Sequence, residues 1–185
     1  MTPELTAAEA PSRAPLLVTA ELPRDVYGWA EGLRRKHFPP ERNKVRAHVT
    51  LFHALPPSLE PELRRMLAEL AAEPAPPATI VGLMPLGGGT AFHIASPELT
   101  AIHDEMVERL HGALTAQDRQ RRKLHVTVQN KVTGAEAKAL QAELAASFHP
   151  RDFAFAGLSL HRYLGGRWED AGTWPFRGSP RRGRH

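Results

Sequence analysis

Two stretches of the sequence, "VRAHVTLFHAL" (Val45 to Leu55) and "RKLHVTVQNKV" (Arg122 to Val132), contain the same triplet, HVT. Apolar residues surround each triplet, a pattern that favours a β-strand. Side chains at positions i and i+2 of a strand lie on one face, so His48 and Thr50 are predicted to emerge side by side. The second stretch predicts the same pairing of an imidazole with a hydroxyl.

The segments around the two triplets occur in the same order. A β-rich segment precedes each triplet, with Leu17 lying 31 residues before His48 and Phe92 lying 33 residues before His125. The two histidines are 77 residues apart, which is too long for a solenoid repeat and suits two similar lobes that face each other. The sequence therefore predicts an α+β fold, bilobal, built from duplicated β-α-β-α-β units.

Apolar periodicity and turn residues predict the elements of each lobe. The first lobe, about residues 16–86, has strands at 16–22, 45–55 and 78–86, and helices at 23–37 and 58–73, the second helix capped by Ser58. The second lobe, about residues 90–176, has strands at 90–96, 122–132, 151–164 and 167–176, and helices at 97–114 and 134–148. The segment "PLGGGTAF" predicts a hairpin connection, and exchange of strands between the lobes is left open.

The composition limits the class of protein. The 185 residues include no cysteine, which excludes disulfides, thiolate zinc sites and cysteine nucleophiles. No apolar stretch approaches the roughly 20 residues that span a bilayer, and the start of the chain lacks a signal-peptide pattern. We therefore expect a cytoplasmic monomer with a single domain at residues 16–176 and a disordered leader at 1–15. We expect the basic tail at 177–185 to be solvated, with weak contact to RNA as the alternative.

Positive charge is concentrated in three places. Four arginines of the last nine residues account for the net charge of +4. The other basic residues of interest cluster before the two triplets: Arg42, Lys44 and Arg46 before the first, and Arg119, Arg121, Arg122 and Lys123 before the second. A solvated loop explains either cluster alone, but both together place positive potential beside the same motif, which suits an anionic substrate.

Two imidazoles and two hydroxyls that face one groove suit phosphoryl transfer. Displacement at phosphorus needs a base for the entering oxygen and an acid for the leaving oxygen, and two histidines can fill both roles near neutral pH without a metal. The threonines can donate hydrogen bonds to the non-bridging oxygens. Ten His and eleven Thr give about 0.6 H-x-T triplets by chance, so the evidence lies in the matched duplication. Strand histidines without a catalytic role are the alternative.

With the motifs "HVTLF" and "HVTVQ", the sequence resembles the 2H phosphoesterases, in particular the 2′-5′ RNA ligase-like proteins, over about residues 16–176. The resemblance implies two antiparallel sheets that line a central groove, with helices on the outside. It implies metal-independent hydrolysis of RNA 2′,3′-cyclic phosphates to 2′-phosphates, with reversible 2′-5′ ligation in some members. The residues it implies are His48 and His125 as the acid-base pair, and Thr50 and Thr127 as phosphate ligands.

The chain departs from the family pattern just after the second motif. Many ligase-like members have an arginine there, "HxTLAR", whereas Gln129, Asn130 and Lys131 follow in this chain, and Lys131 is a candidate substitute. Phe52 and Gln129 continue the i, i+2 faces of the motifs, so Phe52 is a candidate for stacking on a base and Gln129 for contact with a base or phosphate. A core phenylalanine and an exposed polar residue are the alternatives. Further candidates for substrate contact are Arg46, Lys123 and, if the hairpin at "RYLGGRWED" borders the groove, Tyr163, Arg167 and Trp168.

Three functions fit these motifs. The first is a cyclic phosphodiesterase acting on RNA ends or nucleotides that carry a 2′,3′-cyclic phosphate, and the second is a module that binds such ends without turnover. The third is an esterase for cyclic phosphates of other metabolites. The duplicated His and Thr favour an enzyme, because arginine or lysine would serve pure binding better. The other histidines lack metal-ligand spacing, so we expect no metal, no cofactor and no membrane partner.

Overall fold

The structure, a computed structural model, describes residues 13–121 and 123–179, and most of the predicted leader, Arg122 and the end of the predicted tail lie outside this range. Its strands are β1 (Leu16–Glu21), β2 (Val49–Leu55), β3 (Pro77–Leu86), β4 (Gly89–Ala95), β5 (His125–Gln129), β6 (Arg151–Ala154), β7 (Gly157–Tyr163) and β8 (Trp168–Pro175). Its α-helices are α1 (Arg24–His37), α2 (Glu60–Leu70), α3 (Pro97–Arg109), α4 (Ala116–Arg119) and α5 (Gly134–Ala146). Short 3₁₀ turns occur at Pro57–Leu59 and His111–Ala113.

The strands form two antiparallel sheets of four strands each. The first sheet has the order β2-β1-β7-β8 and the second has the order β5-β4-β3-β6. These sheets confirm the α+β class and the two antiparallel sheets expected from the sequence. The HVT motifs lie at the starts of β2 and β5, with His48 just before the first residue of β2 and His125 at the first residue of β5. Both are edge strands, and they contact each other.

The two sheets exchange strands, so neither lobe is a continuous segment of the chain. Strand β3, predicted as the end of the first lobe, belongs to the second sheet, while β7 and β8 belong to the first. The single strand predicted at 151–164 is therefore two strands. The chain crosses between the sheets at adjacent residues: the amide of Phe155 donates to the carbonyl of Pro76 (3.0 Å), and the amide of Ala156 donates to that of Glu21 (2.8 Å).

Buried side chains of both sheets form one hydrophobic cluster. Val18 and Leu160 of the first sheet belong to it, as do Ile80 and Val126 of the second. Shared burial of this kind stabilises the relative position of the sheets, because separating them would expose apolar surface on both. None of the helices within the described residues has the length and apolarity needed to cross a bilayer.

Two local predictions are wrong. Ser58 does not cap α2, because residues 57–59 form a 3₁₀ turn and Leu59 occupies the N-cap position without a side-chain hydrogen bond. The predicted tail also begins too early. The amide of Arg177 donates to the carbonyl of Ala71 (2.9 Å) and that of Gly178 to the carbonyl of Glu73 (3.1 Å), so these residues dock beside the end of α2.

The predicted hairpin after β3 is confirmed, and Gly89 at its end lies against β5. A Cβ atom at this position would collide with the carbonyl oxygen of Gln129, whereas one at Gly87 would meet no atom within 4 Å. We predict that Gly89→Ala lowers the free energy of unfolding by about 1–3 kcal/mol, because the backbone of β5 has to move. Urea unfolding with Gly87→Ala as the control measures this. Equal stability of the two variants would contradict the prediction.

Candidate active site

The two motif histidines have the same hydrogen bond in both sheets. Nδ1 of His48 lies 2.7 Å from the carbonyl oxygen of Arg46, and Nδ1 of His125 lies 2.9 Å from that of Lys123. A carbonyl oxygen can only accept, so Nδ1 carries the hydrogen in each ring. In the neutral form, Nε2 of each imidazole therefore has its lone pair available, as a general base requires.

The neighbours of His48 disfavour its protonated form. Burial, together with the positive charges of Arg34, His161 and His125, lowers the pKa of His48 to about 4, although the bond to the Arg46 carbonyl acts in the opposite direction. The contact between β2 and β5 brings the two motifs near each other. At neutral pH His48 is uncharged and ready to accept a proton.

The motif threonines lie beside the histidines in the half-buried part of each strand. Thr50 is paired with Thr19 of β1, and Thr127 is paired with Ala91 of β4. Neither hydroxyl makes a hydrogen bond within the described residues. Both are thus free to donate to a bound anion.

A β-bulge follows the threonine in both motifs. Thr50 pairs with Thr19 but Phe52 pairs with Val18, and Thr127 pairs with Ala91 but Gln129 pairs with Thr90, so each motif strand has one extra residue. Such a bulge redirects the next side chain. The simple i, i+2 extrapolation from the motifs is therefore wrong beyond the threonines.

Phe52 and Gln129 are consequently not groove residues. Phe52 is fully buried and stacks on the ring of His103 of α3, with 4.7 Å between ring centroids. Gln129 is 6% exposed, and its Oε1 accepts a hydrogen bond from Thr90 Oγ1 (3.2 Å). Phe52 has no free face for a nucleobase, and Gln129 lines a different cavity between the end of α1 and α5, which corrects the expectation for both.

Trp168, another predicted contact residue, lies beside the first motif. Its ring centroid is 4.5 Å from that of His48 and 5.3 Å from that of His161. These three residues line a cavity of about 160 Å³, together with Thr19, Glu21, Lys44, Val45, Arg46, Ala47 and Asp170. The hairpin β7–β8 therefore forms one wall of the site, and its turn has positive φ at Gly165 and Gly166.

His161 is a site residue that the sequence did not indicate. Its Nδ1 lies 2.9 Å from Oδ1 of Asp170, and its Nε2 lies 2.9 Å from Oγ1 of Thr19. Asp170 also accepts from Arg46 (3.2 Å). Arg46, predicted as a substrate contact, thus joins the first motif to β8. Its carbonyl accepts the hydrogen bond from His48, and its guanidinium donates to Asp170.

The remaining predicted contact residues differ in their distance from the motifs. Lys123 is exposed beside His125, whose imidazole bonds its carbonyl. Lys131 is exposed past the end of β5 in a left-handed conformation, with φ of 63°. Tyr163 is 43% exposed and pairs with Trp168 at the hairpin end, and Arg167 is exposed in the adjoining turn.

Arg34 of α1 is the other site residue that sequence reasoning missed. It is 2% exposed, and its guanidinium donates to the carbonyls of Thr127 (2.8 Å) and Val45 (2.9 Å). A signal for its burial was present, since Arg34 follows Val26 and Ala30 at a spacing of four on the buried face of α1. Within the described residues, no group of three His, Asp or Glu side chains is arranged to hold a metal ion.

Comparison with known protein families identifies the family of this chain. Residues 22–167 match the 2′-5′ RNA ligase superfamily, and the chain belongs to that family. This confirms the expected membership in the 2H phosphoesterases. A comparison with curated protein sequences finds no match.

Solved structures share the fold. TT0787 of Thermus thermophilus is 17% identical, with a TM-score of 0.57 over 90% of this chain and 100% of that chain. LigT of E. coli complexed with NADP+ is 18% identical, with a TM-score of 0.56 over 90% of this chain and 99% of that chain. LigT complexed with 3′-AMP is 16% identical, with a TM-score of 0.54 over 89% and 99%. Likeness at these identities establishes the fold.

Asp118 of α4, which was not predicted, binds β2 just beyond the first motif. Its carboxylate accepts from the amides of His53 and Ala54, each at 2.9 Å. Burial alone would raise the pKa of Asp118, but the hydrogen bonds from His53 and Ala54 lower it overall. The carboxylate thus satisfies two donors on the open edge of β2.

We predict that Asp118→Asn lowers the free energy of unfolding at pH 7 by about 1–3 kcal/mol, because an amide cannot accept both bonds. Since the pKa of Asp118 is lowered by folding, its stabilisation is present above the ordinary value of 3.8 and is lost as the pH falls through the folded value. The difference from wild type should therefore shrink in acid. Urea titrations at several pH values, with Asp25→Asn at an exposed position of α1 as the control, measure it. A difference that grows in acid would be incompatible with this role.

Proposed function

We propose that the protein is a metal-independent phosphoesterase that hydrolyses the 2′,3′-cyclic phosphates of RNA ends or nucleotides to 2′-phosphates. The observation that carries the proposal is the matched pair of Nδ1 hydrogen bonds, which leaves Nε2 of both His48 and His125 available. The family supports phosphoester chemistry, and the LigT structures complexed with 3′-AMP, NADP+, phosphate and ATP support a nucleotide-sized ligand.

In this mechanism His48 is the base and His125 is the acid. Nε2 of His48 takes a proton from water, and the water oxygen attacks phosphorus. The bond from phosphorus to the 3′ oxygen breaks, and His125 in its imidazolium form gives a proton to that oxygen. Proton exchange with solvent then restores both rings. Thr50 and Thr127 donate to the non-bridging oxygens, where negative charge accumulates.

Trp168 and the cavity next to His48 extend this site beyond the phosphate. An aromatic ring offers a face to a nucleobase, and Lys44 adds a positive charge to the cavity, whereas the side chain of Arg46 is paired with Asp170. Lys123 brings a second positive charge beside the other motif. These surroundings support a substrate that combines a phosphate with an aromatic or sugar group, and a monomer contains all of them.

Removing either imidazole tests the catalytic roles. We predict that His48→Ala and His125→Ala each lower kcat for a 2′,3′-cyclic nucleotide by about 10²- to 10⁴-fold, because each loses a general base or acid, with KM changed only a few-fold. The double variant should be little worse than either single variant. Steady-state kinetics with His111→Ala, an exposed histidine, as the control provide the measurement. Wild-type turnover by either variant would reassign the groove to binding without catalysis.

The pH and metal dependence test the mechanism separately. We predict activity that survives EDTA and a bell-shaped profile of kcat/KM. The acidic limb should lie near pH 4 rather than 6.5, because kcat/KM reports the pKa of the general base in the free enzyme, and the pKa of His48 is lowered to about 4. Initial rates from about pH 3.5 to 9, with product isomers identified, provide the measurement. An acidic limb near 6.5 would argue against His48 as the base, and loss of turnover on chelation would indicate a metal.

A further inference from the structure

The distance between the two motif strands is not set by a β-ladder. Both β2 and β5 are edge strands, and no strand pairing joins them within the described residues. In antiparallel sheets the ladder normally fixes the spacing of neighbouring strands. The shared core positions the two sheets as a whole, so the local spacing of the two histidines depends on side-chain contacts between the strands.

Arg34 is placed to provide such a contact. Its Nη1 donates to the carbonyl of Thr127, inside the second motif, at 2.8 Å. Its Nη2 donates to the carbonyl of Val45 and to Oδ1 of Asn43, both at 2.9 Å, in the segment that leads to the first motif. The planar fork of a single guanidinium therefore spans both sides of the groove.

The rest of α1 makes this bridge rigid. Cζ of Arg34 lies 4.5 Å from the ring centroid of Phe38, and Oε2 of Glu31 accepts from the amide of Ala47 at 2.7 Å, directly before His48. The helix thus contacts the segment before His48 at two residues, Val45 and Ala47. A side chain that is held by packing and by several hydrogen bonds transmits position accurately.

The charge of Arg34 is buried without a directly contacting acid. Its hydrogen-bond acceptors in the described structure are two carbonyls and an amide, all neutral. Burial lowers its pKa, while the negative charge of Glu31 on the preceding turn opposes this. A buried cation paired only with neutral groups costs free energy, and a bound phosphate would supply the missing negative charge.

We propose that Arg34 is a positioning residue that sets the separation of His48 and His125 and holds a permanent positive charge beside the phosphate of the substrate. The inference rests on the proposed function for its role in turnover. The position after the second motif is also relevant, because Asn130 and Lys131 lie there where many family members have an arginine. In this chain a guanidinium reaches the second motif from α1 instead.

Two variants separate geometry from charge. Arg34→Lys keeps the charge but offers a point donor that cannot reproduce the fork, whereas Arg34→Gln removes both. We expect Arg34→Lys to lower kcat by about 10- to 100-fold, as misplacement of reacting groups does, with a smaller change in KM. We expect Arg34→Gln to lower kcat at least as much and to weaken binding of inorganic phosphate. Arg35→Gln is the control, because that side chain is 76% exposed and pairs only with Glu31 within the described residues.

NMR titration of the His48 imidazole gives a readout that does not depend on turnover. Arg34→Gln should raise the pKa of His48, because one of the charges that lower it is removed, while Arg34→Lys should change it little. The other groups that face His48 are unchanged in both variants. They are Glu21 of β1, His125 of β5, His161 of β7, Asp170 of β8, and Lys44 and Arg46 of the preceding segment.

The outcomes distinguish the inference from its premise. A wild-type protein that does not turn over cyclic phosphates would contradict the proposed function, yet phosphate calorimetry and the His48 titration would still test Arg34. Wild-type kcat in Arg34→Lys, or an unchanged His48 titration and phosphate affinity in Arg34→Gln, would overturn the inference. If Arg34→Gln fails to fold, Arg34→Lys is the deciding variant. Circular dichroism measures its folded fraction. A fall in kcat no larger than the fall in folded fraction would mean that the role of Arg34 is only structural, and it would overturn the proposal.

Discussion

The arrangement of two edge strands next to each other is the constraint on which this structure depends. An edge strand presents unpaired backbone donors and acceptors, and two such edges would ordinarily pair or be covered. Here side chains cover them: Asp118 binds the amides of β2, and Arg34 binds a carbonyl of β5. Because the strands stay unpaired, their facing edges leave room for side chains between the two motifs, which is where the proposed mechanism puts the phosphate.

The exchange of strands stabilises the relative position of the two sheets. If each half of the chain formed its own sheet, only side-chain packing would hold the lobes together. Instead, β3 passes from the first half of the chain into the second sheet, and the hairpin β7–β8 returns from the second half to the first sheet. Pulling the sheets apart would break backbone hydrogen bonds in both, and it would also open the common core. The relative position of the two motifs is thus protected by the whole topology.

The sequence predicted the motif faces because period 2 is a local property of a strand. It failed two residues later, where bulges turn Phe52 and Gln129 away from the groove, because nothing in the composition of the strands marks a bulge. Sheet membership was equally hidden, since pairing partners far apart in the chain leave no local pattern. Residue type alone predicts that an arginine such as Arg34 lies on the exposed face of a helix. Its burial depends on backbone carbonyl partners, and no sequence motif reveals those. Trp168 was found because an aromatic residue at a glycine hairpin is conspicuous, whereas His161 was one histidine among several.

The two HVT motifs have similar backbones but different surroundings, and in the proposed mechanism this asymmetry assigns the roles of the two imidazoles. The HVT motifs share their Nδ1 hydrogen bond and their bulge, and each lies at the start of an edge strand, so their local geometry alone does not distinguish them. His48 lies beside Trp168 and the buried His161, and its burial, together with Arg34, His161 and His125, lowers its pKa, whereas the cross-strand neighbour of His125 is the half-buried His93 of β4. A base has to be neutral before the reaction and an acid has to be charged, and two identical sites would leave open which imidazole takes which role. In the mechanism proposed here, duplication supplies two equivalent mounts, and the unequal neighbours assign the direction of proton transfer.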